Sequence, residues 1–164
     1  MGTFAVQIAK AFKAEVTGMC RTRNIELVRS LGANHIIDYT TTDFTREKAR
    51  YDVILDCVES QPLAAVRRAL APDGTVIPIS GHGGRWLGPA GRIAGARLQS
   101  AFTRQRLRPF ASIAKYRDLL TLAEMLTSGA VKPVVDRTYT LDEAAAAMRY
   151  VGQGHTRGKV TIIL

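Results

Sequence analysis

Apolar positions recur along this chain with two alternating periods. Phe4, Ile8 and Phe12 fall at i, i+4 and i+8 with Ala5 and Ala9 beside them, which predicts one face of a helix. "AEVTGMC" follows as a short buried strand. Ile25, Val28 and Leu31 restore helical spacing in "RNIELVRSLGA", and Gly32 is placed to end that helix. "HIIDY" and "YDVILDCV" read as further strands. Ser60 and Pro62 then open a helix that runs to about Leu70, since proline fits a first helical turn. "PDGTVIPIS" is a turn and another strand.

After Gly81 the rhythm changes to a glycine-rich loop, "GHGGRWLGPAGR", and then to mixed apolar and basic residues from 92 to 108 with a loose helical period. "YRDLLTLAEMLTSG" is a clearer helix closed by Gly129. "TLDEAAAAMRYV" is the best-marked helix, because Thr140 and Glu143 form a T-x-x-E capping box ahead of the apolar run. "GKVTIIL" is the last strand. Strands alternating with helices through short connectors predict an α/β fold with a doubly wound parallel sheet, and apolar strands fit a sheet covered on both faces.

Bulk composition changes this picture in one place. The 164 residues are 46% hydrophobic and 23% charged, which suits one globular domain over residues 1–164. No apolar run reaches the ~18 residues of a membrane span. Two well-separated cysteines, Cys20 and Cys57, have no metal-type spacing and read as buried thiols of a reducing compartment, so a cytoplasmic location is expected. The net charge is +9, and eight of those charges come from the acid-free stretch between Asp73 and Asp118. Within 85–117, arginines interleave with Trp86, Leu87, Ile93, Leu98, Phe102, Leu107 and Phe110. Residues 85–108 therefore admit an alternative reading as a helix on an anionic membrane surface. A nucleic-acid patch is weighed behind it.

Candidate chemistry begins at the first residues. In a doubly wound dinucleotide fold, a strand runs into a glycine-rich turn, and the NH groups of the next helix hold the pyrophosphate. Gly2 and Thr3 stand where the last glycine of such a turn would be, with the helix directly after them. The strand after that helix ends "GMCRTRN", without an acidic residue until Glu26. An acidic residue there would take the ribose 2′-OH of NAD, whereas Arg21, Thr22 and Arg23 suit a 2′-phosphate, which favours NADPH. The alternative is a solvated turn that only caps the next helix. His35, His82 and His155 are scattered, no residue stands out as a general acid, and no Cys/His cluster supports a metal. "PISGH" lacks the leading glycine of a nucleophile elbow.

The segments "GTFAVQIAKAF", "AEVTGMC", "LVRSLGANHIIDY", "YDVILDCV", "LAPDGTVIPISG", "GGRWLGP", "RPF" and "GHTRGKV" together resemble the cofactor-binding domain of the medium-chain dehydrogenase/reductase superfamily. The resemblance is to its zinc-independent quinone oxidoreductase and reticulon-interacting-protein branch. It spans nearly the whole chain, in the family's order. It implies a Rossmann-type sheet and hydride transfer from NADPH to a quinone, enone or activated carbonyl. It also implies that Tyr39 lines the adenosine side, that Cys57 and Val58 border the cofactor, and that Ser80 and Gly81 approach the nicotinamide ribose. Glu59 departs from the family's glycine after "DCV", placing an anionic side chain near the expected pyrophosphate. Family members commonly dimerise through this domain, so a homodimer is expected.

Against the family pattern, the chain lacks the first, central strand of the sheet and the N-terminal catalytic domain, so a truncated member is expected, inactive by itself. A non-catalytic nucleotide-binding or membrane-surface module is the rival. Without the central strand, "AEVTGMC" and "YDVILDCV" either keep unpaired edges or close on each other. Such edges predict poor solubility and weak NADPH binding.

Overall fold

A computed structural model describes residues 1–48, 50–58, 60–79, 104–108 and 115–164. In chain order the elements are α1 (Gly2–Ala11), β1 (Thr17–Cys20), α2 (Ile25–Ser30), β2 (His35–Asp38), β3 (Tyr51–Asp56), α3 (Leu63–Arg68), β4 (Leu70–Pro78), β5 (Arg106–Leu107), α4 (Tyr116–Thr127), β6 (Val135–Thr140), α5 (Ala144–Gly152) and β7 (Lys159–Ile163). Every strand pair among them is parallel. The fold is thus α/β, as the alternating periods require. The described strands form three separate sheets rather than one: β1–β2, β3–β4–β5 and β6–β7. Among the described residues, β1 pairs with β2 in the first unit and β3 with β4 in the second. The chain divides into two compact units, Met1–Thr42 with Ala114–Leu164, and Asp43–Ile113.

In the first unit, β1 reaches β2 through the crossover helix α2. Gly18 permits this, because a Cβ there would meet Val28 Cγ1 at 2.4 Å. Gly32 follows α2 at φ +96°, a left-handed value that L side chains rarely adopt, so the helix ends where the sequence marks it. On α1 the buried residue is polar. Gln7 donates to Lys132 O at 3.0 Å and accepts from Lys132 N at 2.8 Å, so one side-chain amide serves both backbone groups of a residue far along the chain. The capping box ahead of α5 is formed, with Thr140 N donating to Glu143 Oε2 at 3.0 Å.

β6 is absent from the expected elements. It pairs with β7 over Val135–Thr140, and α5 crosses between them. Its alternation carries Asp136 and Arg137, and that pair hides the strand signal. α4 has no buried residue, and Leu119, Leu120, Leu122 and Leu126 are all exposed. No helix among the described residues is long and apolar enough to cross a membrane.

The second unit is built on Val66, Leu70 and Val76, with Phe44, Ile54, Leu63 and Leu107 packed against them. Leu107 explains β5, a two-residue strand inside the stretch expected to be loosely helical. Gln105 anchors it by donating to Arg67 O at 3.0 Å. The "PDG" turn is a break in register within β4, since Tyr51 pairs with Leu70 but Val53 pairs with Thr75. In β3, Ile54 faces the core, whereas Val53 and Leu55, on the opposite face, are 58% and 42% exposed. Alternation of side chains across a strand produces this split where, among the described residues, α3 packs against one face.

Leu70→Ala is expected to destabilise the chain by about 2–5 kcal/mol in urea denaturation, because it empties a core position that is 3% exposed. Val53→Thr on the uncovered face is expected to stay within about 0.5 kcal/mol. Equal losses would mean that Val53 is covered in solution.

Candidate functional site: the strand ends of the first unit

Parallel pairing carries the chain out of β1 and β2 at the same edge. Cys20 stands opposite Asp38, so Arg21, Thr22 and Arg23 leave the sheet beside Tyr39 and Thr40. Residues Thr22–Asn24 form a single 3₁₀ turn that leads into α2. Arg21 Nε donates to Tyr39 Oη at 2.7 Å, and its guanidinium lies 5.9 Å from the Tyr39 ring centroid. The structure therefore brings together Arg21 and Tyr39, which the sequence singles out, with Thr22 next in the turn, while Arg23 Nη2 donates to His155 O at 3.2 Å.

It also places a residue there that the sequence reading omits. Thr22 Oγ1 donates to Asp38 Oδ2 at 2.5 Å, and Thr40 donates to Asp38 Oδ1 from its backbone N at 2.9 Å and from its hydroxyl at 2.6 Å. The Thr22 hydroxyl foremost, and then the two Thr40 donors, hold the Asp38 carboxyl below its ordinary range. The first strand does end without an acid, as read. The carboxylate arrives from the neighbouring strand, and only the parallel register could have revealed it. In the same turn Asn24 Oδ1 is buried without a hydrogen-bond partner, so the turn does not satisfy itself.

Gly2 and Thr3 form the first turn of α1. That turn contains no acidic residue, and Met1 provides no side-chain cap. The first amides of a helix have no intrahelical acceptor, and a Cβ on Gly2 would meet nothing within 4 Å. These features suit an anionic group. In the second unit, Cys57 and Val58 follow β3, where Val58 N donates to Asp56 Oδ1 at 3.3 Å. Burial pushes the Cys57 thiol up, and it does the same to Cys20. Ser80, Gly81, His82 and Glu59 lie outside the described residues, as does most of the basic segment.

A family described as zinc-binding dehydrogenase matches residues 31–162. The chain belongs to the zinc-binding dehydrogenase family. It is 31% identical over 166 residues to the chloroplastic quinone-oxidoreductase QR1 of Triphysaria versicolor, covering 99% of this chain and 49% of that protein. It is 31% identical over 187 residues to the mitochondrial NAD(P)H oxidoreductase RTN4IP1 of Homo sapiens, covering 99% and 45%. Among solved structures, the quinone oxidoreductase from Coxiella burnetii superposes with a TM-score of 0.83 at 22% identity, covering 99% of this chain and 49% of that one. The Rossmann-type fold is thereby shared. The chain spans about half the length of these relatives.

The family's name implies zinc, and the described residues do not fit it. No group of three or more His, Cys, Asp or Glu among them could hold a metal. His35 Nε2 lies 2.8 Å from Glu15 Oε1 at the opposite end of the β1–β2 pair, without a further ligand.

The Asp38 and Asp136 carboxyls are both held low, Asp136 chiefly by the Arg157 backbone N–H and further by the Tyr150 hydroxyl. A lowered folded value means that their stabilisation is fully present above the unfolded value, about 3.9. It is lost as pH falls through the folded value. In a carboxyl-carbon NMR titration both are expected to protonate below the ordinary aspartate midpoint. A midpoint at or above it would dissolve these networks.

Proposed function

We propose that this chain is the cofactor-binding portion of an NAD(P)H-dependent oxidoreductase that uses NADPH to reduce a quinone, an activated alkene or a carbonyl. The observation that carries the reading is the β1–β2 edge, where the parallel register presents Arg21, Thr22 and Arg23 beside Tyr39. The names of the relatives, quinone oxidoreductase and NAD(P)H oxidoreductase, support the same reaction class. Because the chain covers about half of each relative, we propose that the substrate pocket lies largely in a part of such an enzyme that this chain does not span.

When bound, the dinucleotide supplies the hydride. This chain's residues bind and orient it. The α1 amides at Gly2 and Thr3 face the pyrophosphate, where the helix start adds partial positive charge. Arg21 and Arg23 take the 2′-phosphate through charge-assisted hydrogen bonds. Tyr39, held by Arg21, borders the adenosine. The roles of Cys57, Val58, Ser80 and Gly81 rest on the family resemblance. One observation favours a second reading, because Asp38 is an anionic acceptor in the same turn and suits the ribose 2′-OH of NAD.

Nicotinamide fluorescence on the 164-residue chain separates the two. NADPH is expected to bind about tenfold more tightly than NADH, a difference of one charged hydrogen bond. The preference is expected to vanish in Arg21→Gln/Arg23→Gln, while quinone-dependent oxidation by the short chain stays at background. Tighter NADH binding would put Asp38 in control and overturn the NADPH reading.

A further inference from the structure

We infer that Gln7 is a positioning residue for the dinucleotide: its side-chain amide couples the first turn of α1 to the segment between α4 and β6, so that a ligand at the turn orders the segment. The inference rests on the reading that places the pyrophosphate at the Gly2 and Thr3 amides. Gln7 lies on α1 and is 8% exposed. Its Nε2 donates to Thr3 O at 2.9 Å and to Lys132 O at 3.0 Å, and its Oε1 accepts from Lys132 N at 2.8 Å. The two N–H groups of one planar amide therefore serve the two sides of the contact.

On the far side, Lys132 stands in a segment that is held at both ends. Val131, beside it, is 2% exposed, and its N donates to Met125 O of α4 at 3.0 Å. Val134 O accepts from Lys159 N at 2.7 Å, where β7 begins, and a Cβ on Gly158 would meet that oxygen at 2.2 Å. Lys159 in turn places its Nζ 5.4 Å from the Phe4 ring centroid. Phe4 follows Thr3, so two ties from this region reach the first turn of α1: the Gln7 amide and a cation over a ring.

On the near side, the turn lacks the usual devices that hold a helix start. Met1 gives no side-chain cap, and no acidic residue lies in the first turn. A start without a capping side chain is less stable by about 1 kcal/mol. A pyrophosphate that accepts from the first amides supplies the missing acceptors and orders the turn. An ordered Thr3 carbonyl fixes one N–H of the Gln7 amide, and the amide then presents its other N–H and its oxygen to Lys132 in a set orientation. Such coupling is reciprocal, so order at Lys132 strengthens anion binding at the turn by the same factor. Methionine at position 7 would fill a similar volume and leave Lys132 N and O without the amide. Glutamate would keep an acceptor for Lys132 N and lose both donors.

Amide hydrogen exchange of the 164-residue chain, followed by NMR with and without NADPH, tests this. Leu31 N, which donates to Leu27 O at the end of α2, reports the general stabilisation that any ligand gives. NADPH is expected to slow exchange at Lys132 about tenfold more than at Leu31. In Gln7→Met that excess is expected to vanish. Nicotinamide fluorescence is then expected to show NADPH and NADH affinities falling together by about tenfold, because both carry the pyrophosphate. Gln7→Glu takes the place of the methionine variant if circular dichroism shows that variant unfolded. An excess at Lys132 that survives in the variant, or affinities that stay unchanged, makes Gln7 a packing residue and overturns the inference while the cofactor reading stands. No excess at Lys132 in the unaltered chain overturns it in the same way. If neither NADPH nor NADH binds the unaltered chain, inference and reading fall together.

Discussion

The candidate site depends on a four-residue parallel register, Thr17 to Cys20 against His35 to Asp38. A parallel pair cannot be closed by a tight hairpin and needs a crossover. Here α2 is that crossover, and Gly18 lets it lie close to β1. The geometry then follows without further instruction. Both strands run the same way, so both leave the sheet at the same edge, and the turn after one meets the residues after the other. A shift of one residue would exchange the two faces of β2 and separate Tyr39 from Arg21. The Asp38 network with Thr22 and Thr40 works on this register from the side chains, tying the two exits together.

The same logic explains what this chain leaves uncovered. Its described strands are divided among sheets of two and three, and a two-stranded sheet is marginal in water unless a helix or further strands cover it. The second unit meets that need on one face of β3 through α3, while Val53 and Leu55 stay open on the other. In the first unit α4 carries four exposed leucines. Such surfaces invite association, which makes stability and solubility separate questions for this chain. Leu70 governs the former, whereas Val53 and Leu55 bear on the latter.

Legibility in the sequence followed the range of the interactions. Helices announced by local periodicity and caps were readable, down to the Thr140–Glu143 box and the glycine after α2. Strands with apolar runs were readable for the same reason. β5 and β6 were not, because β5 exists through Leu107 reaching a core built forty residues earlier, and β6 through pairing with β7. Gln7 is a buried clamp on Lys132 that no local pattern around it marks. In the site, Arg21, Thr22 and Arg23 were legible as a cationic turn. Asp38 was not, since it arrives through strand register.

Asp38 and the arginines pose a question of competing charges that magnitude can narrow. In water, unit charges 4 Å apart interact by about 1 kcal/mol, and physiological salt screens them further. Exposed guanidinia and an exposed carboxylate around one turn therefore differ by only about a few kcal/mol in their net field at an anion. Long-range attraction of that size draws any anion, nucleotide or not, and cannot by itself distinguish two cofactors that differ at one ribose oxygen. Discrimination must come from directed hydrogen bonds, where an ionised partner contributes about 1.5–3 kcal/mol. Asp38 already receives three such bonds from this protein, which directs its lone pairs inward to Thr22 and Thr40. The Arg21 and Arg23 guanidinia each carry N–H groups beyond the single bonds given to Tyr39 and His155. On the NADPH reading proposed above, those donors are what a 2′-phosphate, which only accepts when fully ionised, would take up.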